Sequence, residues 1–379
     1  MLGLLSFLPT LVYMPQALFI LAAAYALYRN PNKFVKNFTD LTDKKIRVTP
    51  ILILLTVIIF LSGLNFILNE YDPEYTPSLF PQFVLMPLSV FIASEFRKKD
   101  VKILAYLVAI EVIVAMAEYF LGVSTFFTGL EHYDVFEESG LLYNTRPLGL
   151  SNNSSVLAIK CLLVILLIDF YRLYEGIINK LLWVLILVGC YLTFGRTVFV
   201  ALFAFFAIKG YMWFRADKPV VDWFYTIVAL VLFLVVSSQV ILDYSEVILD
   251  QLTRNTKKVD LSGREKIWEF YLNFIKENPW FGNGSHKVWY GEYHAHNSFL
   301  QLIATHGTAI SLFYFLILAI YLNGKNFIYV LTILIYALFQ FAIFWGVSII
   351  DVIYFVFLLK TGDPERLRFV KNLPEEESQ

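Results

Sequence analysis

Between residues 263 and 297 the chain concentrates the residue types that act on anions and hydroxyls. It reads Gly263-Arg264-Glu265-Lys266-Ile267-Trp268, then Pro279-Trp280-Phe281-Gly282-Asn283-Gly284, then His294-Ala295-His296-Asn297. A histidine titrating near neutrality is the usual base for taking a proton from an attacking hydroxyl; the plainer reading of such a histidine is an anchor for a helix start. Arg264 and Lys266 open an expected amphipathic helix over 262–277, capped by Ser262, whose apolar face of Ile267, Phe270, Tyr271, Phe274 and Ile275 suits the outer membrane surface. Cations at a helix start oppose its dipole, and a bound anion would offset that. The Gly282-Asn283-Gly284 turn offers backbone N–H groups that suit phosphate and are equally ordinary in a turn. His294 and His296, two residues apart, share no helix face, and no carboxylate cluster completes a site, so a helix-borne metal pair is disfavoured. Arg196 follows Leu192-Thr193-Phe194-Gly195 at the end of an apolar run. Burying an arginine at membrane depth costs about 2.5–3.5 kcal/mol, so it pairs with an anion or reaches back to the interface.

The elements that must position these residues are membrane spans. The chain is 58% hydrophobic and 16% charged with a mean hydropathy of +0.65, far from the roughly 45–50% apolar and 25% charged of soluble domains. Apolar runs near the roughly 20 residues of a spanning helix recur at 5–28, 49–68, 80–96, 103–121, 155–171, 181–195, 197–214, 223–242, 297–322, 327–345 and 346–360. The expectation is an all-α integral membrane protein, a polytopic bundle of about 11–12 transmembrane helices. Loops 29–48 and 97–102 and the end beyond Lys360 carry the basic residues and belong inside, which leaves 69–79, 122–154 and 243–296 outside. The layout is therefore eight spans over 1–242, an external loop over 243–296, three spans over 297–360 and a solvated tail over 361–379. Ala22-Ala23-Ala24-Tyr25-Ala26 imitates a cleavage site, but no basic residue precedes Arg29, so 2–28 reads as a retained first span, and Pro9 and Pro15 would allow a broken hairpin there.

The net charge of −1 is sorted between loops and forms no single basic face, which argues against nucleic acid as a partner. Cys161 and Cys190 lie inside apolar runs and read as small core residues. Glu111 and Glu118, seven residues apart on one helix face, join Lys160, Asp169 and Asp351 as embedded charges, either functional or pairing helices together. Asn152-Asn153-Ser154-Ser155 contains formal glycosylation matches short enough to arise by chance.

Taken together, Leu192-Thr193-Phe194-Gly195-Arg196-Thr197, Gly263-Arg264…Trp268, Pro279…Phe281-Gly282-Asn283-Gly284, His296-Asn297-Ser298-Phe299-Leu300 and the later Gly307 resemble the O-antigen ligase and O-antigen polymerase superfamily. Arg146-Pro147-Leu148-Gly149 with Asn152-Asn153 is similar as well, so the likeness runs from Arg146 to about Phe315. These are bacterial glycosyltransferases of the inner membrane with the active site facing the periplasm. The resemblance implies a GT-C-like all-helical fold, an undecaprenyl-diphosphate-linked oligosaccharide as donor, a sugar acceptor carried on a second lipid-linked glycan or on lipid A-core, and inverting transfer with no cofactor and no required metal. It makes Arg196 and Arg264 holders of the donor diphosphate and His296 the base. Arg146, Lys266, Trp268, Gly284, His294 and Asn297 join them as substrate-binding candidates.

Polymerase and ligase share these motifs and differ in acceptor; the balance tilts slightly to polymerase. A lipid-linked glycan flippase is the non-enzymatic alternative. Transporters place polar sites near the midplane on broken helices in two related halves, whereas here the polar residues gather in one external loop.

Overall fold

The computed structural model describes residues 1–29, 31, 48–69, 82–123, 125–127, 146–173, 176–193, 195–214, 264–344 and 346–360. The expected span at 223–242, the Ser262 cap and the tail at 361–379 lie outside them. The described residues form an all-α membrane protein. Its helices are α1 (Leu2–Phe7), α2 (Leu18–Arg29), α3 (Val48–Leu68), α4 (Met86–Glu95), α5 (Lys98–Phe120), α6 (Ser154–Phe170), α7 (Ile177–Leu192), α8 (Arg196–Phe214), α9 (Arg264–Glu277), α10 (Ser298–Tyr321), α11 (Phe327–Phe339) and α12 (Ile349–Leu359). Among them, Ile51–Leu68, Lys98–Phe120 and Ser298–Tyr321 are long and apolar enough to cross a membrane. Seven of the expected spans, from 49–68 to 197–214 and at 297–322, fall on helices, of which Met86–Glu95 is much shorter than its expected span at 80–96.

The first expected span is instead a hairpin. Pro9 sits in a single 3-10 turn (Leu8–Thr10), Leu11 is extended and Tyr13 takes φ +62°, so the chain reverses between α1 and α2. Both arms return to one carboxylate: Asp100 accepts from Leu2 N at 3.1 Å and from Arg29 Nη1 at 3.1 Å. Gly3 lets α1 lie against the start of α5, since a Cβ there would stand 2.1 Å from the Asp100 carbonyl. Arg29, Arg97 and Lys360 gather at this end around Asp100, Glu95 and the Ser94 carbonyl. Arg29, Arg97 and Lys360, each from a segment expected on the same side, thus share one end of the bundle.

At the centre stands α6, buried on nearly every face. Asn153 caps it by accepting from Val156 N at 2.9 Å. Lys160 and Glu111 form a fully buried pair at 2.6 Å, Ser151 Oγ donates to the same carboxylate at 2.7 Å, and Glu118 accepts from Gly149 N at 2.7 Å. The two glutamates of α5 therefore hold the segment leading into α6, which is the helix-pairing reading of those charges.

Residues 340–344 and 346–348 correct the expected spans at 327–345 and 346–360. α11 stops at Phe339, and the chain passes through the bundle as an irregular strap to α12, with Phe344 at φ +71° and Gly346 at φ +109°. Irregular backbone survives at membrane depth only when protein satisfies its polar groups. Ser298 Oγ accepts from Ala342 N at 2.8 Å and Ile343 N at 3.2 Å, Asp351 Oδ1 accepts from Phe344 N at 2.8 Å, and Ser89 Oγ donates to Gly346 O at 3.1 Å.

The amphipathic α9 also differs from expectation: its face of Ile267, Tyr271 and Phe274 packs on Val288, Ala295 and Ala304 of the protein itself. The turn after α9 locks into a break in α10, where Gly307 takes φ +75°, ψ 170°. Carbonyls and an N–H freed by the break find the turn: Asn283 N donates to Ala304 O, Ser285 N to Thr305 O and Thr308 N to Pro279 O, each at 2.8 Å. A Cβ on Gly307 would stand 2.1 Å from Trp280 O. Gly307→Ala should therefore destabilise the protein by about 3 kcal/mol or more through strain and overpacking, read as a lower melting temperature in detergent. Gly63→Ala, on a helical site with nothing within 4 Å, should melt like the wild type, and equal losses from both would refute the lock.

Candidate functional site

The loop over 286–297 is pinned before it presents any side chain. Tyr271 donates its hydroxyl to Val288 O at 2.6 Å, and Gln301 donates to the same carbonyl at 2.9 Å while its Oε1 accepts from Ala295 N at 3.0 Å. Trp268 Nε1 donates to Ala295 O at 2.8 Å. Buried polar groups left without partners cost about 1–3 kcal/mol each, so these bonds hold Ala295 firmly between the two histidines. Asn297 then caps α10, its Oδ1 accepting from Phe299 N at 2.9 Å and Leu300 N at 3.0 Å. Clamped between these, His296 takes φ +47°, a left-handed conformation that costs a non-glycine residue of order 1–3 kcal/mol and persists only where its surroundings over-determine it.

The rings of His294 and His296 stand 4.2 Å apart. His294 faces Trp289 at 6.1 Å and Phe341 at 5.6 Å. Lys287 Nζ lies over the same two rings, 4.3 Å from the Trp289 centroid and 4.9 Å from that of Phe341. Arg264 Nη1 donates to Phe339 O at 2.7 Å, one of the open carbonyls at the end of α11, where positive charge is favoured. Four basic groups thus crowd one end of the bundle, and their ionisation shows it. Burial, then the charges of His296, Lys287 and Arg264, pushes His294 down to about 3. Burial and Arg264 also lower His296, against a hydrogen bond with the Gln340 side chain that raises it. Burial brings Lys287 down to about 7. His296 Nδ1 is buried with no hydrogen-bond partner. A neutral imidazole that gives its other N–H to Gln340 leaves this nitrogen bare as a proton acceptor.

Arg196 opens α8, which packs against α11. Lys209 and Tyr329 meet at the far end of that antiparallel pair, 3.5 Å apart, so Arg196 and Phe339 share the end where Arg264 sits. Lys266 is exposed on the outer side of α9, opposite the face that carries Arg264 and Trp268. Arg146 stands at the start of the segment held by Glu118 and Glu111. Gly284, at φ +58°, packs against Asn69, and its N–H goes to Phe281 O at 3.2 Å. Gly282 N bonds Asn278 O at 3.2 Å and Asn283 N bonds Ala304 O at 2.8 Å, so the donors of this turn are spent on the fold and are not offered to a phosphate. Lys287, Gln340 and Phe341 were not anticipated: Lys287 had only its charge in the right loop to mark it, and the other two were hidden inside an expected span.

Unfolded, His294 takes up a proton near pH 6.5; folded, it resists to about 3. The unfolded chain therefore binds more protons below pH 6.5, and stability falls as pH falls through that value. The melting temperature in detergent should drop between pH 7 and 5, and His294→Gln should flatten that slope; an unchanged slope in the variant would show that His294 is not the group responsible.

Residues 181–315 match the family model described as O-antigen ligase. No curated protein matches the chain. The matched stretch runs from α7 past the break in α10 and takes in Arg196, Arg264, His294, His296 and Gly307, while Arg146 and the strap with Gln340 and Phe341 lie outside it. Over residues 181–315 the chain is accordingly similar to the O-antigen ligase family, which supports the resemblance to the O-antigen ligase and polymerase superfamily.

Proposed function

We propose that the protein is a membrane glycosyltransferase that moves a glycan from an undecaprenyl-diphosphate carrier to the hydroxyl of an acceptor sugar at the periplasmic face of the bacterial inner membrane. The observation that carries this is the placement of His296, with a bare and buried Nδ1, beside Arg264 at the end of the bundle that also holds Arg196. In this scheme the guanidinium groups of Arg264 and Arg196 bind the donor diphosphate. His296 Nδ1 takes the proton of the acceptor hydroxyl, whose oxygen forms a bond to the anomeric carbon as the bond from that carbon to the diphosphate breaks. Attack opposite the leaving group inverts the anomeric centre. Charge grows on the departing diphosphate, so the arginine contacts strengthen in the transition state, where they lower the barrier. A positioned base contributes about 10²–10⁴-fold.

We take the acceptor to be a second lipid-linked repeat, which makes the protein a polymerase. The matching family model is described as O-antigen ligase and does not distinguish the two activities, so transfer to lipid A-core by a ligase is the second reading. A strain lacking the gene separates them on a lipopolysaccharide gel. Core bearing a single repeat identifies the polymerase, bare core with polymer retained on the carrier identifies the ligase, and an unchanged ladder rejects both in favour of a transporter or a different polysaccharide.

Returning His296→Ala should leave the deletion profile uncorrected despite normal membrane insertion. Arg264→Lys should also fail, because one ammonium cannot hold Phe339 O and a diphosphate with the geometry of a fork. Wild-type behaviour from the His296 variant would remove the base. In the purified wild type the acid limb of kcat/KM should lie below the ordinary histidine value of about 6.5, because burial and Arg264 keep His296 neutral as pH falls. An acid limb above that value would contradict the assignment.

A further inference from the structure

We propose that Gln340 is a positioning residue for His296: its side-chain amide oxygen takes the Nε2 proton of the imidazole and so fixes Nδ1 as the nitrogen that faces the acceptor hydroxyl, a role that rests on the transferase reading above. The hydrogen bond made by one ring nitrogen of a histidine decides which tautomer the other offers. His296 Nδ1 is buried with no partner while the ring is bonded to the Gln340 side chain, so that bond leaves through Nε2. The charged and titratable groups around the ring are Arg264 and His294, with Lys287 on the two aromatic rings that His294 also faces. Arginine and lysine only donate, so neither can hold the N–H of a neutral imidazole; the Gln340 amide can.

The backbone places the glutamine for this. α11 ends at Phe339, and Gln340 turns extended at φ −145° and ψ 149°. Its carbonyl accepts from Ser298 Oγ at 3.1 Å, and the same hydroxyl oxygen accepts from Ala342 N at 2.8 Å and Ile343 N at 3.2 Å. Ser298 follows His296 and the Asn297 cap directly, so one short stretch of chain carries the histidine and grips the residue that orients it. An amide suits this place better than a carboxylate. A carboxylate would accept the same proton but hold the ring protonated to higher pH. A neutral oxygen orients the ring and lets burial and Arg264 keep it neutral.

The test uses the full-length protein in nanodiscs, with the lipid-linked glycan and lipid A-core extracted from the deletion strain as substrates, and reads kcat and kcat/KM against pH. Gln340→Leu should lower kcat about 10–100-fold, the worth of a hydrogen bond to a group that becomes charged in the reaction. It should also move the acid limb of kcat/KM to lower pH, because a bond that favours the imidazolium is gone. Gln340→Glu keeps the acceptor and adds charge, so it should restore kcat toward the wild-type value and move the limb the opposite way, to higher pH. A merely structural role would not displace the limb in opposite directions, and if Gln340→Leu melts well below the wild type, the limb of Gln340→Glu decides alone. Equal loss of kcat in both variants with the limb unmoved overturns the proposal, as does a wild-type kcat and limb in Gln340→Leu; an inactive His296→Ala then leaves the base standing. Full activity from His296→Ala removes the base and the role of Gln340 together.

Discussion

A helix that breaks inside a membrane protein must give its freed backbone groups new partners, and the break at Gly307 is the constraint from which the site follows. Unpaired amides and carbonyls cost several kcal/mol in a hydrocarbon setting. The turn after α9 supplies the missing partners for Ala304, Thr305 and Thr308. Asn65 adds contacts at 2.9 Å to Phe281 O and to Ser285 Oγ, and the latter stands 3.0 Å from His306 Nδ1. The turn after α9 is thereby anchored to α3 and α10. Everything that follows it, through Val288 and Ala295 to His296, inherits that position.

A second irregular stretch completes the arrangement from the opposite side. The strap that follows α11 owes its place to Ser298 and Asp351, and it supplies the Gln340 and Phe341 side chains while α11 ends in the Phe339 carbonyl. Ser298 directly follows the Asn297 cap, so one short sequence both starts α10 and grips the strap. The histidines therefore sit between two non-helical segments, the turn satisfied largely by the backbone of α10 and the strap by side chains of the helices it crosses. Such a construction fixes His296 in a strained conformation more firmly than a free loop would.

Most of the fold was legible because long apolar runs separated by charged loops leave little choice of structure in a membrane, and seven expected spans meet helices. The failures share a cause. Between residues 2 and 28 and between 327 and 360 the composition stays apolar while the backbone turns, and hydropathy does not register a turn whose polar groups are satisfied internally. Pro9 and Pro15 left a trace of the first; the second had Gly346 alone. At the site, residue type pointed to a region. Geometry then divided its members: Gly284, Asn297 and Trp268 have side chains or backbone engaged in the scaffold, Lys266 faces away, and His294 and His296 come together with Arg264.

That division changes what the motifs mean. Gly282, Gly284 and Gly307 need to be glycine because a Cβ at any of them meets a neighbouring chain or demands a backbone φ that other residues resist. Gly149 is held in the same way against Glu111. A motif rich in glycine and proline beside two histidines therefore encodes mainly the close approach of two backbone segments, and the histidines owe their geometry to it. Chemistry would then be lost on breaking the lock even with His296 intact, because the imidazole is placed by Ala295 and Asn297, and those are placed by α9 and α10. His296 and the break in the helix act as one structural unit, and Arg264 at the end of α11 is the point where that unit meets charge.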